Sequence, residues 1–181
     1  MKRRLTILAL IVLAVLISAA LTVTSSAYAG RATQISGIGE FDLEGKCLLG
    51  ADLGSPDFAN RLTGDLDGCF YAYVKTAECS AGGIYRERGT NLFVGKYKEK
   101  AGTFEATYQF MAKFATCEVI DGVPTPGGDE FFGRCHHPII ADSGTADFAG
   151  VTGRLDFEDN VELGQLVNFP YRGHLRWELD H

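Results

Sequence analysis

The chain has 181 residues, 46% of them hydrophobic, with 17 basic and 23 acidic side chains and a formal net charge of −6. An acidic chain lacks the clustered Lys and Arg that nucleic acid and anionic membranes reward, so neither is an expected partner. The length suits one domain with a single core behind a short targeting segment.

In chain order, the first segment is not part of the fold. "MKRR" is a basic n-region, Leu5 to Val23 is a predominantly apolar run, and Ala27-Tyr28-Ala29 puts small residues at the two positions that signal peptidase reads. Cleavage is expected between Ala29 and Gly30. The run is long enough to span a bilayer, so an uncleaved anchor is the competing reading, and the Ala-Tyr-Ala site favours cleavage. Removing residues 1–29 takes away three basic residues and no acidic ones, which leaves fourteen against twenty-three, a net charge of −9 on residues 30–181. The expected product is a secreted single domain with no membrane contact.

Past residue 29 the chain reads as strands almost throughout. Strands are expected at 32–42 and 69–75, followed by "GIYRERGTNLFVG" at 83–95. The clearest case is 102–116, where Phe104, Ala106, Tyr108, Phe110, Ala112 and Phe114 face one side while Glu105, Thr107, Gln109, Met111 and Lys113 face the other. Strict period two over this length means a long strand with one side buried. Further strands are expected at 136–142, 153–159 and 171–179, separated by clusters of Gly, Asp, Asn and Pro. No window of ten or more residues past 29 shows helical periodicity backed by a cap. Seven or eight antiparallel strands in one domain must form a sandwich or a closed barrel, since an open sheet would leave an apolar face and two edges bare.

Five cysteines, Cys47, Cys69, Cys79, Cys117 and Cys135, lie beyond the targeting segment, and export makes disulfides their default use. Cys117 and Cys135 bracket a segment with two prolines and four glycines that reads as a loop, so a Cys117–Cys135 bridge at its base is the preferred pair. An extended 69–75 holds Cys69 away from Cys79, so Cys47 is the better partner for one of them, with the choice open. Neither Cys-x-x-Cys nor His-x-x-x-His spacing is present, and no metal or cofactor is expected.

"SGTADFAGVTGRLDF", Ser143 to Phe157, holds three glycines among small residues and then alternates. A phosphate-cradling loop would lead into a helix, whereas "RLDFED" alternates like a strand, so the glycines read as a tight bulged turn with Phe148 tucked beneath the sheet. With "FPYRGHLRWEL", this stretch resembles the glycine-rich turn and closing strands of allene oxide cyclase-like and dirigent-like barrels. Their pattern is Gly-small-Gly-x-Phe-x-Gly-x-x-Gly, from which the chain departs at Ala146. "GTFEATYQF" is similar to a strand of the same group, with Phe104 in place of its first tyrosine. The resemblance covers about a third of residues 30–181. It implies an all-β, antiparallel eight-stranded closed barrel with a central cavity, a β-sandwich being the alternative, and in many members a homo-oligomer. It carries no catalytic residue across.

Candidate site residues come from strand faces. Arg172, His174 and Arg176 share one face of the last strand, and would meet an anionic or hydroxylated ligand if that face lined the cavity; a solvated face is preferred, because antiparallel sheets usually solvate one side. Arg86 and Arg88 lie opposite Tyr85 and Glu87, and Glu105 on a neighbouring strand is a partner for an inward Arg86. Arg86, Glu105, Arg172 and His174 are therefore the ligand-binding candidates. His136 and His137 are adjacent, so on a strand they point to opposite faces and cannot share an ion; one exposed and one packed beside a disulfide is the expectation. Three function classes remain: a secreted barrel holding a small apolar or amphipathic ligand, an extracellular interaction protein with a filled barrel, and an allene oxide cyclase-like isomerase.

Overall fold

The structure is a computed structural model that describes residues 30–47 and 53–177. The expected targeting segment, 1–29, lies outside the described residues. Among the described residues ten strands follow one another: β1 (Thr33–Phe41), β2 (Phe58–Gly64), β3 (Leu66–Ser80), β4 (Ile84–Tyr97), β5 (Lys100–Ile120), β6 (Val123–Pro138), β7 (Thr145–Ala146), β8 (Val151–Glu158), β9 (Asn160–Glu162) and β10 (Gln165–Trp177).

Eight of them form an antiparallel meander in the order β1-β2-β3-β4-β5-β6-β8-β10, and β10 returns to β1 with Thr33 opposite Leu175 and Gly39 opposite Phe169. That pairing closes the sheet into a barrel and removes both edges, which decides against a sandwich. The short β7 and β9 are appendages on β5 and β10. β2 has no counterpart in the sequence reading, since Asn60 and Arg61 interrupt any alternation there. Along β5, Phe104, Ala106, Tyr108 and Ala112 are buried inside, as the alternation requires, and Glu105, Thr107 and Gln109 are exposed.

One end of the barrel is filled. The connection between β6 and β8 folds across it and drives Phe148 into the interior, where its ring meets Phe104, Phe93 and Trp177 at centroid distances of 5.4, 5.7 and 6.2 Å. The Trp177 indole donates to Asp147 O at 3.0 Å, and Asp147 Oδ2 accepts from Ala101 N at 3.0 Å, so the plug is tied to both β10 and β5. The glycine-rich stretch is thus a turn. An added Cβ at Gly144 would overlap Phe148 O, and Gly150 and Gly153 have φ of 68° and 140°. Ala146, where the sequence leaves the glycine pattern, is also left-handed with φ of 50°, a conformation glycine adopts freely.

The cysteine pairing differs from expectation in one pair. Cys47 bonds Cys69 and Cys79 bonds Cys117, while Cys135 is a buried free thiol. The expected Cys117–Cys135 bridge fails because 118–134 is no loop: β5 and β6 run on as one hairpin to a turn at Asp121 and Gly122, and Cys117 pairs across with Pro126 while Cys135 pairs with Phe110. From Pro126 to Cys135 at about 3.3 Å per residue is far beyond the roughly 7 Å Cα limit for a bridge. β4 begins only opposite Lys113, so the outer part of β5 has no β4 partner and Cys117 reaches the end of β3, with Cα atoms 5.3 Å apart. The other bridge pins the segment after β1 against the outside of β3, helped by Asp42, whose carboxylate accepts from Lys46 N and Cys47 N at 2.8 and 2.7 Å.

Candidate ligand-binding cavity

The end opposite the Phe148 plug is open. There the barrel encloses a cavity of about 560 Å³, lined by Phe41, Phe58, Tyr85, Phe110, Phe114, Phe157, Leu166 and Phe169 among apolar and aromatic groups. The polar groups in its wall are Glu87, Asn91, Glu130, Cys135, His137, Asp159 and Gln165, together with the hydroxyls of Tyr85 and Tyr108, and the lining contains neither Lys nor Arg. Exposed apolar residues stand on connections at this same end, including Leu43 after β1, Ile120 and Val123 at the β5–β6 turn, and Leu163 between β9 and β10.

Three strands build a polar wall. Alternation along β4 turns Tyr85, Glu87 and Asn91 inward. Glu87 accepts from the Tyr85 hydroxyl through Oε2 and from the Tyr108 hydroxyl through Oε1, each at 2.6 Å. Burial, reinforced by the Glu87 carboxylate, pushes both phenols well above the usual tyrosine range, so they stay donors. Deeper in, Asn91 Oδ1 lies 3.0 Å from His137 Nδ1, and Asn91 Nδ2 donates to Tyr71 O at 3.3 Å. His137 is ringed by Phe70, Tyr108 and Phe157 at 4.8 to 5.7 Å between centroids. Burial lowers its pKa to about 3, so it is neutral and, paired to the Asn91 carbonyl oxygen, donates from Nδ1. Burial also pushes the Cys135 thiol far up, which keeps it protonated and unreactive.

Toward the mouth, Glu130 on β6 and Asp159 at the end of β8 turn into the cavity. Their meeting depends on two backbone features. The β5–β6 register shifts between Lys113, opposite Phe132, and Phe114, opposite Glu130; the extra residue, Phe131, bulges outward and turns Glu130 in. Gly133 then leaves the space that the carboxyls fill, since an added Cβ there would overlap Asp159 Oδ2 and crowd Glu130 Oε1 at 2.9 Å. Glu130 Oε1 and Asp159 Oδ2 are buried and meet no donor among the described residues. The hydrogen bond open to them is one through a carboxyl proton held between the two. Burial and the adjoining Glu130 accordingly raise Asp159 to about 8.

The four residues named from sequence as ligand candidates lie elsewhere. Arg86 points outward and donates to Ser80 Oγ at 2.9 Å. Glu105 is on the exposed face of β5, opposite Leu92 and not Arg86. Arg172 and His174 alternate with the inward Tyr171 and Leu175, so they are on the outside of β10, opposite Asp156 and Arg154. None of the four lines the cavity, because barrel curvature puts Tyr85 and Tyr171, with their phases of alternation, on the concave side. His136 is exposed with Nδ1 2.6 Å from Asp156 Oδ1, and His137 is buried beside the free Cys135 where a disulfide was expected. Among the described residues no three His, Cys, Asp or Glu converge as a metal site.

No protein family matches the chain, and no curated protein is similar to it at a significant level. Among solved structures, the chain is similar in shape to a protein of unknown function from the DUF3224 family of Shewanella oneidensis MR-1, with a TM-score of 0.51 and 16% identity, over 83% of this chain and 100% of that one. At that identity the likeness shows the barrel fold and nothing of the site. It does not name the allene oxide cyclase-like group.

Proposed function

We propose that the protein is an exported barrel that holds a small apolar or amphipathic ligand in its open-ended cavity. The observation that carries this is the cavity itself: about 560 Å³, walled by aromatic rings, with a few converging polar groups, within the range of small-molecule sites. It favours a ligand-holding barrel over a filled one that acts only through its surface. The two disulfides suit an oxidising compartment, and the Ala27-Tyr28-Ala29 site supports export. The motif from Ser143 to Phe157 supports kinship with allene oxide cyclase-like barrels at the level of fold, without bringing their chemistry.

Native mass spectrometry of protein taken from its own secretion medium tests this, together with titration of the purified protein with Nile red. A retained small molecule, or saturable dye fluorescence with one site per chain, is expected. An empty protein that leaves the dye in water would refute the proposal.

A further inference from the structure

The cavity walls also favour one chemical class of ligand, an inference that rests on the ligand-binding reading above. We propose that the cavity takes a cationic amphiphile, a primary amine on an apolar body, with its ammonium between Glu130 Oε1 and Asp159 Oδ2 and its body among the rings. Glu130 is only 7% exposed, and both facing oxygens lack a donor among the described residues. The one proton the pair can share is a single donor for two buried oxygens, whereas an ammonium brings three donors and the opposite charge. Glu87 competes less, because each of its oxygens already accepts a phenol hydroxyl.

The rest of the wall points the same way. Among the described residues nothing cationic lines the cavity, and burial holds His137 neutral, so a carboxylate ligand would meet Glu87, Glu130 and Asp159 with no compensating charge from them. The rings of Tyr85, Phe110 and Phe114 line the same cavity and supply apolar surface to the ligand's chain, and aromatic rings tolerate a nearby cation better than an anion. Without ligand, the carboxyl pair holds a proton between its oxygens. As the ammonium enters, that proton leaves for solvent and two carboxylate oxygens accept its N–H groups. Amine binding should therefore tighten as pH rises toward and past the Asp159 range of about 8. The other titratable groups lining the cavity are Cys135 and His137 from β6, Glu87 and Tyr85 from β4 and Tyr108 from β5; burial holds thiol and phenols protonated and His137 neutral.

Decylamine, decanol and decanoate, matched in chain length, test this by calorimetry or by Nile red displacement on the protein without its targeting segment. The amine should bind at least about tenfold tighter than the alcohol, a difference typical of charge-assisted hydrogen bonds, with decanoate weakest. Its advantage should grow between neutral and mildly alkaline pH. Glu130→Gln combined with Asp159→Asn should erase the amine preference while decanol still binds, which also reports that the variant is folded. Decanol binding as tightly as the amine, decanoate binding best, or a double variant that keeps the preference would each overturn the cationic assignment and leave ligand binding standing. If none of the three binds the parent protein, both proposals fall.

Discussion

Truncating the plug, Phe148→Ala, is the sharpest test of how the closed end is held. Phe148 is 0% exposed and wedged among Phe93, Phe104 and Trp177, whose positions are set by three different strands, so the void cannot be closed by one side chain moving. Phe-to-Ala changes at such sites cost about 3–5 kcal/mol, as lost transfer energy plus the cavity left behind. For a domain of this size each kcal/mol lowers Tm by about 2–4 °C, so a drop on the order of 10 °C is expected. Urea denaturation of parent and variant, followed by tryptophan fluorescence, measures the same loss and also reports on Trp177 in contact with the plug. Leu163→Ala, at a residue 100% exposed, is the control and should melt with the parent. The open cavity proposed to hold ligand is at the other end, so Nile red should still bind the variant below its melting transition. A Phe148→Ala protein that loses less than about 1 kcal/mol would show that the end is closed by something other than this ring.

Two further predictions concern buried groups. Non-reducing peptide mapping should find Cys47 joined to Cys69 and Cys79 to Cys117, and iodoacetamide should label Cys135 only after unfolding, because the thiol is buried and held protonated; rapid labelling of the native protein would contradict its placement. His137 makes stability depend on pH: the unfolded chain takes up a proton near the ordinary value of 6.5 and the folded one only near about 3, so its contribution is present above 6.5 and is lost as pH falls across that window, at up to about 1.4 kcal/mol per pH unit. Asp159 acts in the opposite sense, since the fold keeps its proton up to about 8 and the unfolded chain releases it near 3.8, so its contribution is lost as pH rises. The two oppose each other between 3.8 and 6.5, and His137→Phe should leave a stability that falls more steeply with rising pH there than the parent's; identical slopes in urea titrations at stepped pH would refute the assignment.

Much of the barrel was legible because it follows from local chemistry. The period-two run from Phe104 to Phe114 requires a strand with one buried side whatever its neighbours, and glycines at 144, 150 and 153 require a turn because the backbone there is too close or left-handed for other residues. The same alternation carried Tyr85 and Glu87 onto one face, and Leu155 and Phe157 lead on to Asp159. What alternation cannot say is which face is concave. That choice came from closure of β10 on β1, and it put Arg86, Glu105, Arg172 and His174 outside. Glu130 was hidden for a different reason: counting by twos from His137 and Cys135 places it outside, and only the bulge at Phe131 turns it in. Cysteine pairing was likewise beyond local reasoning, since Cys79 and Cys117 meet across the end of β4, a contact between strands that are not sequence neighbours. Sequence determined most of the strands and the glycine-rich turn, where the cause lies within a few residues, but not β2 or the long β5–β6 hairpin. Tertiary structure decided the inside of the barrel, the disulfide partners and the carboxyl pair at its mouth, because each depends on where distant strands come to lie.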